Sequence, residues 1–224
     1  LIAGVDLIRK ADGGSVHVLT TPLITKSDGT KFGKSEGGAV WLAPDMLSPY
    51  QFFQFWLNTE DADVVHYLKV FTFLTRERIG ELAEEAEARP WARSAQRELA
   101  REVTTLVHGA TAAADVERAS RALFGNDDLR GLDAGVLQDA VSHLDGGTAS
   151  VGETSMVDLL LATGLEQGRS AARRTIASGG AYLNNSKIDD EDALVRPEDV
   201  LPGGVLLVRK GRRTLAVARV AHPD

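Results

Sequence analysis

The sequence predicts a mainly α-helical protein with an α+β tail, and three observations carry that expectation. Helix formers with apolar residues at three-to-four spacing fill residues 48–145. Alternating, β-branched stretches appear near the end, in "AYLNNSKID" and "GGVLLVRKGRRTLAVARV". Ahead of both lies an apolar run, "SVHVLTTPLI" (15–24), followed by a lysine- and glycine-rich loop, "TKSDGTKFGKSEGG" (25–38). With 224 residues the chain is long enough for one or two domains with real cores.

Each element follows from its residues. The run 15–24 is β-branched and reads as one buried strand. "SPYQFFQFWLN" has a serine cap and a proline in its first turn, which fits a helix start. Its aromatics at 50, 52, 53, 55 and 56 fit a core better than a base-stacking surface. "TEDADVVHYLKVFTFL" opens on a threonine cap, with acids in the first turn that suit the helix dipole. "TRERIGELAEEAEA" and "WARSAQRELAREVTTLVHG" predict two more helices. "TAAADVERASRALFG" opens on a cap and stops at glycine. "LDAGVLQDAVSHL" predicts one more helix. The polar, glycine-rich "DGGTASVGETS" (145–155) reads as a linker and domain boundary. After it come a short capped helix, "SMVDLLLATGL", and a second, "GRSAARRTIASGG". A hairpin with an Asn-Asn turn follows, because both residues tolerate positive φ. Two strands around a basic turn at Gly211 close the chain.

Composition narrows the function classes. Hydrophobic residues make up 43% of the chain, and no apolar run is long enough to span a bilayer. A cytoplasmic location without membrane attachment is expected. Cysteine is absent, which excludes disulfides and cysteine metal sites. The five histidines (17, 66, 108, 143, 222) are isolated, and no metal-ligand spacing occurs. The chain opens "LIAGVDLIRK", without methionine, and reads as part of a longer protein. Formal net charge is −7, which by itself argues against nucleic acid. The distribution points elsewhere. Residues 155–224 hold ten Lys and Arg against nine Asp and Glu, with Arg169, Arg173, Arg174, Arg209, Lys210, Arg212 and Arg213 bunched.

Two constellations carry chemistry. In the loop, Lys31 and Lys34 lie three apart, with Gly33 between them and Ser35 following. Glycines let a backbone approach an anion closely. A lysine ~4 Å from a phosphate oxygen contributes ~4 kcal/mol at an effective dielectric near 20. It accelerates a reaction only if that contact strengthens in the transition state. An inert solvated loop is the competing reading, and the Walker A spacing is absent. In the tail, Arg169 and Arg173 lie one helical turn apart beside Arg174, flanking an apolar stripe of Ala172 and Ile176. Arginine forks suit phosphate oxygens. Here the competing reading is a solvated face whose arginines pair with nearby acids. Helix, helix, hairpin and basic turn together favour RNA.

These pieces resemble a known family. "KFGKS" resembles the KMSKS signature of class I aminoacyl-tRNA synthetases. "LTTPLITKSDGTKFGKSEGGAVWL" with "SPYQFFQFWLNTEDADVVHYLKVFTFL" resembles bacterial tyrosyl-tRNA synthetases, as does "LIAGVDLIRK". The stretch from Met156 to Val220 is similar to the alpha-L RNA-binding motif that ends those enzymes. The resemblance covers the whole chain. It implies the end of a Rossmann-type catalytic domain (1–46), a helical anticodon-recognition domain (47–146) and an alpha-L RNA-binding domain (155–224). It further implies tyrosine, ATP with Mg2+, and tRNA(Tyr) as substrates, and a homodimer. Lys31 and Lys34 would stabilise departing pyrophosphate with Ser35 assisting, and Leu23 and Ile24 would back the adenine. Arg169, Arg173, Arg174, Lys187, Lys210, Arg212 and Arg213 would face RNA. No metal site of the chain's own is implied.

Phe32 and Gly33 stand where the signature has Met-Ser, a change the tyrosyl branch tolerates. The chain contains no H-x-G-H sequence, and the nucleotide-binding half expected before Leu1 is not in it. The chain alone is therefore expected to be inactive in tyrosine activation. The alternative is a non-catalytic RNA-binding protein that reuses the helical and tail domains. The lysine-glycine loop speaks against it. Tryptophanyl-tRNA synthetases are a nearer rival, but lack the RNA-binding tail.

Overall fold

The fold was analysed in a computed structural model, which describes residues 1–33, 40–124, 128–211 and 214–221. The chain divides into two compact units, Leu1–Val40 and Trp41–Asp224. Lys34, Ser35, Gly125, Arg212, Arg213 and His222 lie outside the described residues.

The first unit opens with α1 (Ile2–Asp12), which ends at Gly13 in the left-handed conformation. A strand at 15–24 does not form. These residues join no ladder, and Val18, Leu19 and Leu23 are exposed. β-Branched side chains favour a strand only where another strand pairs with it and a surface covers it. Among the described residues of this unit the single pairing is the bridge between Thr25 and Lys31.

Among the described residues the second unit begins with six α-helices: α2 (Pro49–Leu57), α3 (Asp61–Phe71), α4 (Arg76–Ala88), α5 (Ser94–His108), α6 (Ala110–Phe124) and α7 (Ala134–Val141). Ser48, Thr75 and Asp133 cap α2, α4 and α7, each side chain accepting from a backbone N–H in the first turn. Such caps contribute ~1 kcal/mol each. Two expected caps are not used. Glu60, not Thr59, occupies the position before α3 and makes no side-chain cap bond. The helix α6 starts at Ala110 rather than after Thr111, because Gly109 at φ 91° turns the chain in a single residue.

Helix α5 is central, packing on α2, α3, α4 and α6. Tyr50, Phe52, Phe53 and Trp56 are buried, and Trp56 meets Tyr67 and Phe71 edge-on at 6.3 and 4.9 Å. Four of the five aromatics are core, as their helical spacing predicted, and Phe55 is half-buried. Arg93, at φ 50°, ties the α4–α5 connection to α2 by donating to the carbonyls of Leu57 (2.7 Å) and Thr59 (3.1 Å).

At the end of α5, the His108 ring meets Phe52 edge-on at 4.9 Å, and its Nε2 is buried without a hydrogen-bond partner. Burial holds its pKa below the ordinary histidine value. The unfolded chain therefore binds a proton before the folded one does. Stability should be fully present above the ordinary histidine pKa and fall as pH drops below it. Denaturant unfolding at pH 7.5 and 5.5 should show that loss, and His108→Phe should flatten the difference. An equal loss in the variant would refute the assignment.

The stretch 145–155 is not a linker. Residues Gly146–Ala149 form β1, an edge strand of a five-stranded sheet ordered β1-β5-β4-β2-β3. The others are β2 (Ala181–Leu183), β3 (Ser186–Lys187), β4 (Val205–Lys210) and β5 (Thr214–Val220). The strand β1 runs parallel to β5, and the remaining pairs are antiparallel. Glycine makes this possible, since a Cβ on Gly147 would sit 2.1 Å from the Ala162 carbonyl oxygen. The helices α8 (Met156–Ala162) and α9 (Arg169–Ala177) pack on the sheet through Leu159, Leu160, Ala172 and Ile176, against Leu206, Val208 and Ala218. Asn184 and Asn185, at φ 48° and 67°, form the predicted β2–β3 turn.

The helices and the sheet are bonded together. Asn185 Nδ2 donates to Ala122 O (2.8 Å), Gln138 Nε2 to Gly203 O (3.0 Å), and Arg130 Nη2 to Glu198 O (3.1 Å).

Candidate functional site

The lysine loop begins as a tight hairpin. Thr25 and Lys31 face each other across an antiparallel bridge. Lys26 N–H donates to Thr30 O and Gly29 N–H to Lys26 O, both at 2.9 Å, with Gly29 at φ 80°. Asp28 Oδ1 accepts from the Thr30 N–H (2.9 Å) and hydroxyl (2.7 Å). Those bonds, with Lys26 nearby, hold the Asp28 pKa below its ordinary value, so it stays ionised. Phe32 N–H closes the base by donating to Ile24 O at 3.1 Å. Lys31 is exposed at the end of this hairpin, and Leu23 and Ile24 lie at its start. The structure thus brings Lys31, Leu23 and Ile24 together on one short hairpin. Lys34 and Ser35 lie outside the described residues.

The tail cations occupy three elements. Arg169, Arg173 and Arg174 project from α9, Lys187 from β3, and Lys210 ends β4. Most have acidic partners. Arg169 pairs with Asp158 in the first turn of α8, Arg173 with Glu191 at 3.3 Å, and Lys187 with Asp189 at 3.2 Å. Lys210 meets Glu166 at 2.9 Å. The competing reading, arginines paired to neighbouring acids, is therefore part of the geometry. The first three of these pairs are exposed and therefore weak, so a phosphate can take the place of their carboxylates. Lys187 also borders a groove of about 610 Å³ shared with Arg130 and Arg196.

Sequence reasoning missed the partners. Asp158 and Glu166 are ordinary acids in the sequence, and Arg93 and Arg130 stand in no motif. In the sequence Arg209 belongs only to a basic cluster. Its guanidinium lies over the Tyr182 ring, 4.6 Å from the centroid, which β2–β4 register places directly across the ladder. Residue type at a cross-strand position signals such a pair only once register is known. Among the described residues no group of three or more His, Asp or Glu is placed to hold a metal ion. Nor is any of their helices long and apolar enough to cross a membrane.

The family model for class I tRNA synthetases (W and Y) matches residues 1–125, and that for the tyrosine–tRNA ligase SYY-like C-terminal domain matches 137–218. Two curated relatives are tyrosine–tRNA ligases. That of Kineococcus radiotolerans is 49% identical over 224 residues, all of this chain and 53% of its own length. That of Nocardia farcinica is 53% identical over 222 residues, 96% of this chain and 52% of its own. The chain belongs to the class I tRNA synthetase (W and Y) family, and its residues 137–218 match the C-terminal domain of tyrosine–tRNA ligases. It spans about half the length of the curated relatives it matches.

Proposed function

We propose that this chain acts within a tyrosine–tRNA ligase, supplying the lysine-rich ATP loop and the RNA-gripping parts. The carrying observation is identity near 50% across the whole chain to enzymes of that name. In the first step the tyrosine carboxylate attacks the α-phosphate of ATP, the α–β phosphoanhydride bond breaks, and pyrophosphate leaves. In the second, a hydroxyl of the terminal ribose of tRNA(Tyr) displaces AMP. Lys31 and Lys34 stabilise the negative charge that develops on pyrophosphate, and Ser35 assists by hydrogen bonding. The preformed Lys26–Thr30 turn supports this reading, because it gives Lys31 a defined base. Leu23 and Ile24 offer apolar atoms to the adenine. Mg2+ arrives with ATP as part of the substrate.

In this reading residues 1–46 end the catalytic domain, 47–146 recognise the anticodon region, and 155–224 grip RNA. Arg169, Arg173, Arg174, Lys187, Lys210, Arg212 and Arg213 meet phosphates. The enzyme works as a cytoplasmic homodimer.

Tyrosine-dependent exchange of pyrophosphate into ATP tests the activity. The full-length ligase containing this chain should exchange, and the 224-residue chain alone should not. Exchange by the chain alone, or none by the full-length protein, would overturn the proposal. For the tail, Arg173→Ala with Arg174→Ala should weaken tRNA binding about tenfold or more. The slope of log affinity against log salt should become shallower by about one to two, one per lost phosphate contact. An unchanged slope would return these arginines to a purely solvated role.

A further inference from the structure

Glu166 has no part in the reading above, yet it stands at the meeting point of the tail. It lies between α8 and α9 and is only 9% exposed. Its Oε1 accepts from Lys210 Nζ at 2.9 Å and from the Thr175 hydroxyl of α9. Its own N–H donates to Leu160 O on α8 at 3.1 Å, and Lys210 Nζ also donates to Leu165 O at 3.3 Å. Two helices, the loop joining them and the end of β4 thus converge on one carboxylate.

A buried acid is otherwise out of place on a surface meant for phosphates. Taken as charge alone, it repels RNA and offsets Lys210. Its geometry argues for a different role. An ammonium has three N–H donors. Two of those on Lys210 point inward, to Glu166 and Leu165, which leaves one for an external acceptor. A free lysine must give up rotamer freedom when it grips a phosphate, whereas a held one has already done so. The Thr175 hydroxyl first, then Lys210 and the Arg174 charge, hold the Glu166 pKa below its ordinary value.

We infer that Glu166 is a positioning residue for RNA binding, which holds Lys210 and the arginine face of α9 in one fixed arrangement. This rests on the proposed RNA-binding role of the tail.

The two roles predict opposite signs. If Glu166 acts only as a negative charge, Glu166→Gln tightens RNA binding and steepens its salt dependence. If it positions, the same change weakens binding about fivefold to tenfold, and the salt slope becomes shallower by about one, a single phosphate contact. The experiment titrates a tyrosine-accepting tRNA transcript with the full-length ligase containing this chain over a salt series, with the active fraction fixed by stoichiometric titration. Thr175→Val, which leaves every charge in place, should move both readouts in the same direction by a smaller amount. It also carries the test if Glu166→Gln does not fold. Equal or tighter binding overturns the inference, and so does weaker binding at an unchanged slope. Arg173→Ala with Arg174→Ala serves as the reference. Loss of binding there without loss on Glu166→Gln sinks only the positioning role. No loss in either sinks the RNA reading itself.

Discussion

Alanine at Gly147 is expected to cost the fold ~3 kcal/mol or more, whereas alanine at Gly80 should stabilise it by ~0.5–1 kcal/mol. The substitution adds one methyl group at both sites. At Gly147 that carbon would lie 2.1 Å from the Ala162 carbonyl oxygen and 2.6 Å from its carbonyl carbon. Both are backbone atoms at the end of α8, so no side-chain rotation relieves the clash. Either β1 leaves the sheet or α8 shifts, and α8 carries Leu159 and Leu160 in the core. At Gly80, within α4, a Cβ meets nothing within 4 Å, and a helix prefers alanine to glycine. For a protein of this size 1 kcal/mol corresponds to roughly 2–4 °C in Tm. Calorimetry should therefore show a fall of about 6 °C or more for Gly147→Ala and a slight rise for Gly80→Ala. Equal shifts would mean that β1 is not packed as described.

Removing Lys34 should produce the largest functional effect. In the full-length ligase, Lys34→Ala is expected to slow tyrosine activation about 10²–10³-fold, the usual loss when a preorganised charge-stabilising donor is deleted. Affinity for tRNA should change little if, as proposed, the lysine acts on the phosphates of ATP. Lys31→Ala should act in the same direction. The double variant should lose less than the product of the two, because both lysines serve one developing charge. Single-turnover formation of tyrosyl-adenylate measures the step directly. A full-length enzyme indifferent to Lys34→Ala would remove the loop from the mechanism.

Several elements were legible in the residues alone. The helical region announced itself through apolar periodicity and the Ser48 cap, and α8 through its Ser155 cap. Asn184-Asn185 announced its turn, because few residues accept two consecutive positive φ values. Even the burial of Tyr50, Phe52, Phe53 and Trp56 followed from their spacing. These are local features, decided within a few residues along the chain.

Two readings failed for one reason. The stretch 15–24 has strand-like residues but no ladder, and "DGGTASVGETS" has linker-like residues but contains a strand. Strand formation is settled by whatever lies alongside. For Gly146 and Gly147 the close backbones of Val217 and Ala162 demand residues without side chains. The same residues in open solvent would be a linker.

The site divides in the same way. Residue types in order carried the family, the lysine loop and the basic character of the tail. Which acid faces which cation waited on the fold: Asp158 with Arg169, Glu191 with Arg173, Glu166 with Lys210. These partners come from different elements, so no spacing along the chain encodes them. Local preference and charge content belong to the sequence by itself. Strand pairing, glycine contacts and the carboxylate clasp at Glu166 were decided only by the tertiary structure, because each depends on groups that folding alone brings within bonding distance.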